Sequence, residues 1–186
     1  MKFENTQVYG FENAIYGLRL PMCKDFAEAK EKSDSVFVSE WWQIGDNDLR
    51  IIRNLIKADG NGKAGQPNSK FLRMIGVSVC ITAPLCFWKE LDTYKVGTVS
   101  NSTSTMHRIA SYPITEDCFE KNPLTGKISG AIDIQKLEQL RQKFNETKDK
   151  GVWYDLIYGL GDSWLQTRMW SANYEVLRNI YAWRCK

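Results

Sequence analysis

Phe71-Leu-Arg-Met-Ile-Gly-Val-Ser-Val-Cys-Ile81 decides the fold, because its side chains alternate. Ile75, Val77, Val79 and Ile81 share one face; Met74, Gly76, Ser78, Cys80 and Thr82 share the other, the period of a strand. The second face is small and semi-polar, a surface that packs against a helix or lets a ligand approach closely. Pro84 follows, suited to the first turn of a helix, where its missing N–H costs nothing. Leu85, Trp88 and Leu91 continue at helical spacing.

Upstream, Thr6 to Gly10 reads as a short strand and Asn13 to Leu20 as a helix stopped by Pro21. Lys24 to Lys32 reads as a solvated helix, and Ser35-Val-Phe-Val-Ser39 as a strand. Asp46 or Asn47 is suited to cap a helix carrying Leu49, Ile52, Leu55 and Ile56, which Asp59-Gly-Asn-Gly62 ends. Downstream, Thr98 to Thr105 and Pro123 to Gly130 read as loops. Ile134, Leu137, Leu140 and Phe144 mark an amphipathic helix that ends between Asn145 and Gly151. A last helix is expected from Asp162 or Ser163 onward, striped by Leu165, Met169, Ala172, Val176, Leu177 and Ile180. This order predicts an α+β fold, an antiparallel or mixed sheet packed with helices, in one domain over 1–186.

Composition narrows the chemistry. The chain has 186 residues, 43% of them apolar, enough for a core. A net charge of +3 lacks the dense basic stripe of a duplex-binding domain, so nucleic acid is not expected as a partner. Met1-Lys-Phe-Glu-Asn is polar from the outset, unlike a signal peptide, and no apolar run is long enough for a membrane span. A soluble, cytoplasmic protein is expected. The five cysteines show no C-x-x-C spacing, which argues against a disulfide framework and a thiolate zinc site. One histidine, His107, removes multi-histidine metal centres, so no metal site is expected. No G-x-G-x-x-G or P-loop pattern occurs.

Two segments concentrate polar chemistry. Thr98-Val-Ser-Asn-Ser-Thr-Ser-Thr105 offers hydroxyls and an amide that can surround a phosphate, with Lys95, His107 and Arg108 nearby; composition alone favours a solvated loop. Trp170-Ser-Ala-Asn173 to Asn179-Ile-Tyr-Ala-Trp-Arg184 interleaves amides and Arg184 with apolar residues. Buried amides need partners, and a ligand is one; helix-surface polarity or an intersubunit bond is another. Glu40, Glu90 and Asp92 are the neighbouring carboxylates, without a spacing that demands acid–base catalysis. The tryptophans, Glu40-Trp-Trp42 included, suit a core or an oligomer interface.

These two segments resemble the signatures of flavin-dependent thymidylate synthases. Ala83-Pro-Leu-Cys-Phe-Trp-Lys-Glu-Leu-Asp-Thr-Tyr-Lys-Val-Gly-Thr-Val-Ser-Asn-Ser-Thr-Ser-Thr105 is similar to the stretch in which Ala-Pro leads into R-H-R-x-x-S-x-N-E-x-S-x-R. The closing segment resembles the family's W-T-x-N-x-R-x-x-x-N-F-x-x-x-R helix at the same spacing. The resemblance implies a thymidylate synthase-complementing fold, a homotetramer, FAD as cofactor, NADPH and methylenetetrahydrofolate as co-substrates, and reductive methylation of a pyrimidine deoxynucleotide such as dUMP. It implies that Arg184 polarises the pyrimidine base, and that Asn173, Asn179, Tyr94 and Lys95 hold the flavin. Thr98, Asn101, Thr103, Ser104 and Glu90 would then bind substrate. The departures are specific: Thr93-Tyr94 replace Arg-His, Ser100-Asn101 replace Asn-Glu, Thr105 replaces the last arginine, and Glu175 stands where the late helix carries arginine. They make a catalytically inactive relative, a nucleotide-binding or protein-interaction module of viral or phage origin, the alternative expectation.

Overall fold

A computed structural model describes residues 1–38, 41–60 and 65–185. Its elements run β1 (Lys2–Tyr9), α1 (Phe11–Arg19), α2 (Phe26–Glu31), β2 (Val36–Phe37), β3 (Trp42–Gln43), α3 (Asp46–Ala58), β4 (Gly76–Pro84) and α4 (Leu85–Leu91). They continue with β5 (Val99–Ser102), α5 (Thr105–Arg108), α6 (Ile134–Thr147), α7 (Lys150–Gly159), β6 (Leu165–Asn173) and α8 (Tyr174–Arg184). The class is α+β, with a four-stranded antiparallel sheet in the order β1-β4-β6-β5 and helices packed with it. The directions of β4 and β6 oppose each other: Tyr174 N–H donates to Ile75 O at one end and Leu85 N–H to Trp164 O at the other, both at 3.0 Å. A separate antiparallel pair joins Val36 to Gln43 and Phe37 to Trp42.

Contacts divide the chain into two compact units. One comprises Met1–Asn5, Val79–Tyr94 and Ser100–Trp170; the other Thr6–Ser78, Lys95–Val99 and Ser171–Lys186. The first is built on Ile109, Ile114, Phe119, Leu137, Leu156 and Leu160, with Trp153 and Trp164 packed alongside. Trp88 is buried there too, its indole N–H shared between Ala83 O and Gln166 O. The second unit packs Ala14, Phe71, Leu72 and Ile75 against Ile52, Leu55 and Ile56, the apolar stripe of α3. Each leucine, isoleucine or phenylalanine among them contributes about 1.5–3 kcal/mol when fully buried.

The alternation of the decisive stretch is realised. Ile75, Val77, Val79, Ile81 and Ala83 are buried, while Ser78, Cys80 and Thr82 are half-buried. Its first residues differ, since Lys70–Met74 form a 3-10 turn that drives Phe71 and Leu72 into the core. β1 starts earlier than the expected Thr6, at Lys2. The expected cap of α3 is also corrected. Neither Asp46 nor Asn47 caps it; the Asp34 carboxylate accepts the Asn47 and Asp48 N–H groups at 2.8 and 3.0 Å instead. Those bonds hold the Asp34 carboxyl below its ordinary range. Ser39, Glu40, Asn61 and Gly62 lie outside the described residues.

The largest correction concerns the late segment. No helix begins at Asp162 or Ser163; Leu165–Asn173 is a strand, with Trp170 and Ala172 buried at strand spacing. The helix begins only at Tyr174, because the Asn173 side chain caps it by accepting the Val176 N–H at 3.1 Å. Residues 98–105 likewise hold a strand, β5, and not a plain loop. Between the two lies α7, which periodicity did not reveal; Asp149 caps it through the Gly151 N–H at 2.7 Å.

Candidate functional site

Within the second unit, the two polar segments meet. Gly97 has φ +75°, so the chain turns out of Val96 into Thr98 through a left-handed residue. A Cβ on Gly97 would stand 3.0 Å from Asn173 Nδ2 and 3.4 Å from Val176 Cγ2, so this turn lies directly against the start of α8. Asn173 spends its carbonyl on the helix cap, which leaves its amide N–H pair on the Gly97 side. Ser171 anchors the same stretch of β6 by donating to Val77 O at 3.0 Å. A cavity of about 290 Å³ opens here, lined by Thr98 and Asn173 together with Tyr9, Arg73, Met74 and Ser171.

The first turn of α8 carries the charge that sequence comparison flagged. Glu175 is 7% exposed, accepts the Gly65 N–H at 3.1 Å and faces Arg73 Nε at 3.8 Å. Beside it, burial pushes the Tyr174 phenol above its usual range. Further along α8, Asn179 accepts the indole N–H of Trp183 at 3.1 Å and holds that exposed ring on the helix surface. Arg184 ends the helix, exposed, and Lys95 is exposed just before Gly97. Thr98 and Asn173 therefore share a cavity, while Lys95, Asn179 and Arg184 are not among its lining residues.

The other expected residues belong to the first unit. Thr103 is held by the sheet: its N–H donates to Thr167 O at 2.8 Å, and its carbonyl accepts from Gln166 Nε2 at 3.0 Å. Ser104 caps α5 by accepting the His107 N–H at 3.2 Å. Both line a cavity of about 370 Å³ with Arg108, Tyr112, Cys118 and Trp164. The Arg108 guanidinium lies over the Tyr112 ring, 5.2 Å from its centroid, and donates to the phenol oxygen. Asn101 is exposed on β5. Glu90 is an exposed residue of α4, and its carbonyl accepts the Thr93 hydroxyl; Tyr94 is half-buried just beyond. Arg168 clasps the end of α4, donating from Nη1 to both Asp92 oxygens at 3.0 and 3.1 Å and stacking 4.3 Å over Trp88.

Arg73 and Gly97 were not singled out from sequence. A lone glycine in a polar run and a lone arginine before a strand are both common. Only the cavity gives them a role.

No protein-family model matches the sequence, and no curated protein matches it. By structure the chain is similar to the flavin-dependent thymidylate synthase ThyX of Helicobacter pylori complexed with FAD and dUMP. The TM-score is 0.65 at 18% identity, covering 100% of this chain and 85% of that one. The fold is that of flavin-dependent thymidylate synthases. A second H. pylori ThyX structure with FAD and dUMP gives 0.64 at 18% identity, over 100% and 85% of the two chains. The UMP/dUMP methylase PolB of Streptomyces cacaoi, bound with 5-Br dUMP, gives 0.51 at 13% identity over 94% and 76%. On this thymidylate synthase fold, the Thr98–Asn173 cavity lies where the late segment meets the hydroxyl-rich one. Among the described residues, no helix is long and apolar enough to cross a membrane.

Proposed function

We propose that this chain is a divergent thymidylate synthase-like protein that binds a pyrimidine deoxynucleotide such as dUMP and supports its reductive methylation. The observation that carries the reading is the cavity in which the Gly97–Thr98 turn meets the Asn173 amide. Such a pocket offers neutral hydrogen-bond donors to the carbonyl edge of a flat base, with a cation at its rim. Asn173 orients the base and Thr98 supplies a hydroxyl beside it; Arg184, at the far end of α8 about 16 Å from Asn173, would polarise the ring of a site in a neighbouring protomer of the assembly.

The second unit also suits a flavin. The Trp183 indole braced by Asn179 fits the face of a planar ring, and Lys95 fits a pyrophosphate. FAD, when bound and reduced by NADPH, would supply the hydride, with methylenetetrahydrofolate as carbon source. Every residue of β1 is exposed, Phe3 and Tyr9 among them, which supports assembly into a homotetramer through that strand. A second reading, a nucleotide-binding relative without turnover, is favoured by one observation: Glu175 is committed internally to Arg73 and Gly65.

Purified protein incubated with FAD, NADPH, methylenetetrahydrofolate and dUMP tritiated at the 5-position should release tritium, and Arg184→Ala should abolish the release. Asn173→Asp keeps the helix cap but loses the amide donors, so dUMP binding should fall while the melting temperature holds. Nucleotide binding without tritium release supports the second reading. Absence of both flavin uptake and dUMP binding refutes both readings.

A further inference from the structure

Sequence comparison registers position 175 as a lost cation, because a glutamate stands where the related helix carries arginine. The structure shows where positive charge has gone. Arg73, on the 3-10 turn before β4, lines the same cavity as Thr98 and Asn173 and is the arginine among its lining residues. Its side chain is 47% exposed, so its head is open to a ligand. Among the described residues its partner is Glu175, through Nε at 3.8 Å, too long for a hydrogen bond. A guanidinium has five N–H donors in a planar fork, and this contact leaves them available.

Glu175 is fitted to a supporting role. It is nearly buried, it is tied to the Gly65 N–H, and its charge faces the near side of Arg73. A buried carboxylate keeps an arginine close without covering its outer edge. The α8 N-terminus adds a partial positive charge on the same side. Arginine recognises phosphate oxygens through paired N–H donors, and the contact with Glu175 is made through Nε, so it does not occupy the terminal N–H pair.

We infer that Arg73 is the anion-binding residue of this cavity, held in place by Glu175, and that the group it takes is the phosphate monoester of the nucleotide. The inference rests on the reading of the cavity as a pyrimidine nucleotide site. It adds that the cation missing from position 175 is supplied from position 73, with the ion pair reversed in sense. Neutral Asn173 and Thr98 then read the base and sugar, while the guanidinium discriminates nucleotide from nucleoside.

Binding of dUMP and of deoxyuridine to wild-type protein, Arg73→Gln and Arg73→Lys tests this by calorimetry, with circular dichroism as the folding control. Arg73→Gln should weaken dUMP at least about tenfold, the loss of a charge-assisted hydrogen bond, and leave deoxyuridine within about twofold. Arg73→Lys should fall between, because an ammonium keeps the charge and loses the fork. Equal loss of dUMP and deoxyuridine, or dUMP binding indifferent to Arg73, overturns the inference while leaving the nucleotide reading intact. Inorganic phosphate binding that depends on Arg73, in a protein that ignores dUMP, overturns the nucleotide reading and keeps the anion site.

Discussion

Replacing Gly97 by alanine separates backbone strain from contact at the site. At φ +75° a Cβ costs about 1–2 kcal/mol, the left-handed penalty of an L-residue. In a chain of this length that lowers the melting temperature by about 2–8 °C. The new methyl also stands 3.0 Å from Asn173 Nδ2 and 3.4 Å from Val176 Cγ2, so the amide retreats by a few tenths of an ångström. One neutral hydrogen bond to a ligand is worth about 0.5–1.5 kcal/mol, so dUMP binding should weaken by about two- to tenfold. Gly126→Ala is the matched control. It has φ +68° with nothing within 4 Å of a Cβ, so it carries the same backbone cost and none of the contact. Thermal denaturation and dUMP titration on both variants give the answer. If Gly126→Ala weakens binding as much as Gly97→Ala, or if neither does, the Gly97–Asn173 contact is not part of a nucleotide site.

Two further outcomes test the framework of the units. Asp48 is fully buried and accepts from Arg19, Ser33 and Ser35, each at 2.6 Å, so Asp48→Ala leaves an uncompensated guanidinium and should cost about 3–5 kcal/mol. A fall of less than about 2 °C in a thermal melt would contradict that assignment. In the other unit, hydrogen bonds from Arg141, with help from the Ile114 N–H and Gln142, lower the Glu138 pKa from 4.5 to about 2 against an opposing burial effect. Its stabilisation is therefore complete above pH 4.5, where the unfolded carboxyl is ionised, and is lost as pH falls towards 2. Urea midpoints measured across that range should fall less steeply in Glu138→Gln than in wild type.

The elements legible in the sequence are those whose signal is local. The alternation of Ile75, Val77, Val79 and Ile81 needs no partner to be read, and the stripe of α3 repeats at its own period. Elements decided by distant partners were not legible. Leu165, Met169, Ala172 and Val176 imitate a helix period, yet hydrogen bonds with Ile75 and Leu85, which flank β4, hold that segment extended until Asn173 caps the true helix. Asp34 caps α3 from across a turn, beyond what a window around Asp46 can show. α7 carries glycines in its first turn and at its end, Gly151 and Gly159, which weaken its helical signal; its core residues Val152 and Leu156 are ordinary.

The site divides along the same line. Thr98 and Asn173 were reached through resemblance, because short motifs preserve spacing after identity has decayed. Arg73 was not, because the value of a charge depends on what faces it, and its partner Glu175 lies far along the chain. Read in isolation, Glu175 counts as the loss of a cation. Paired with Arg73 across the 3-10 turn and the first turn of α8, it becomes half of an ion pair turned around, and the cavity keeps a guanidinium. Substitution at one motif position is therefore weak evidence against ligand binding whenever a neighbouring element can present the same charge to the same space. The reverse also holds: Arg184 keeps its motif position, yet it ends α8 exposed and outside the lining of the Thr98–Asn173 cavity. Position within a motif and position in the pocket are separate properties. In this chain the arginine that lines the cavity is the one that no motif contains.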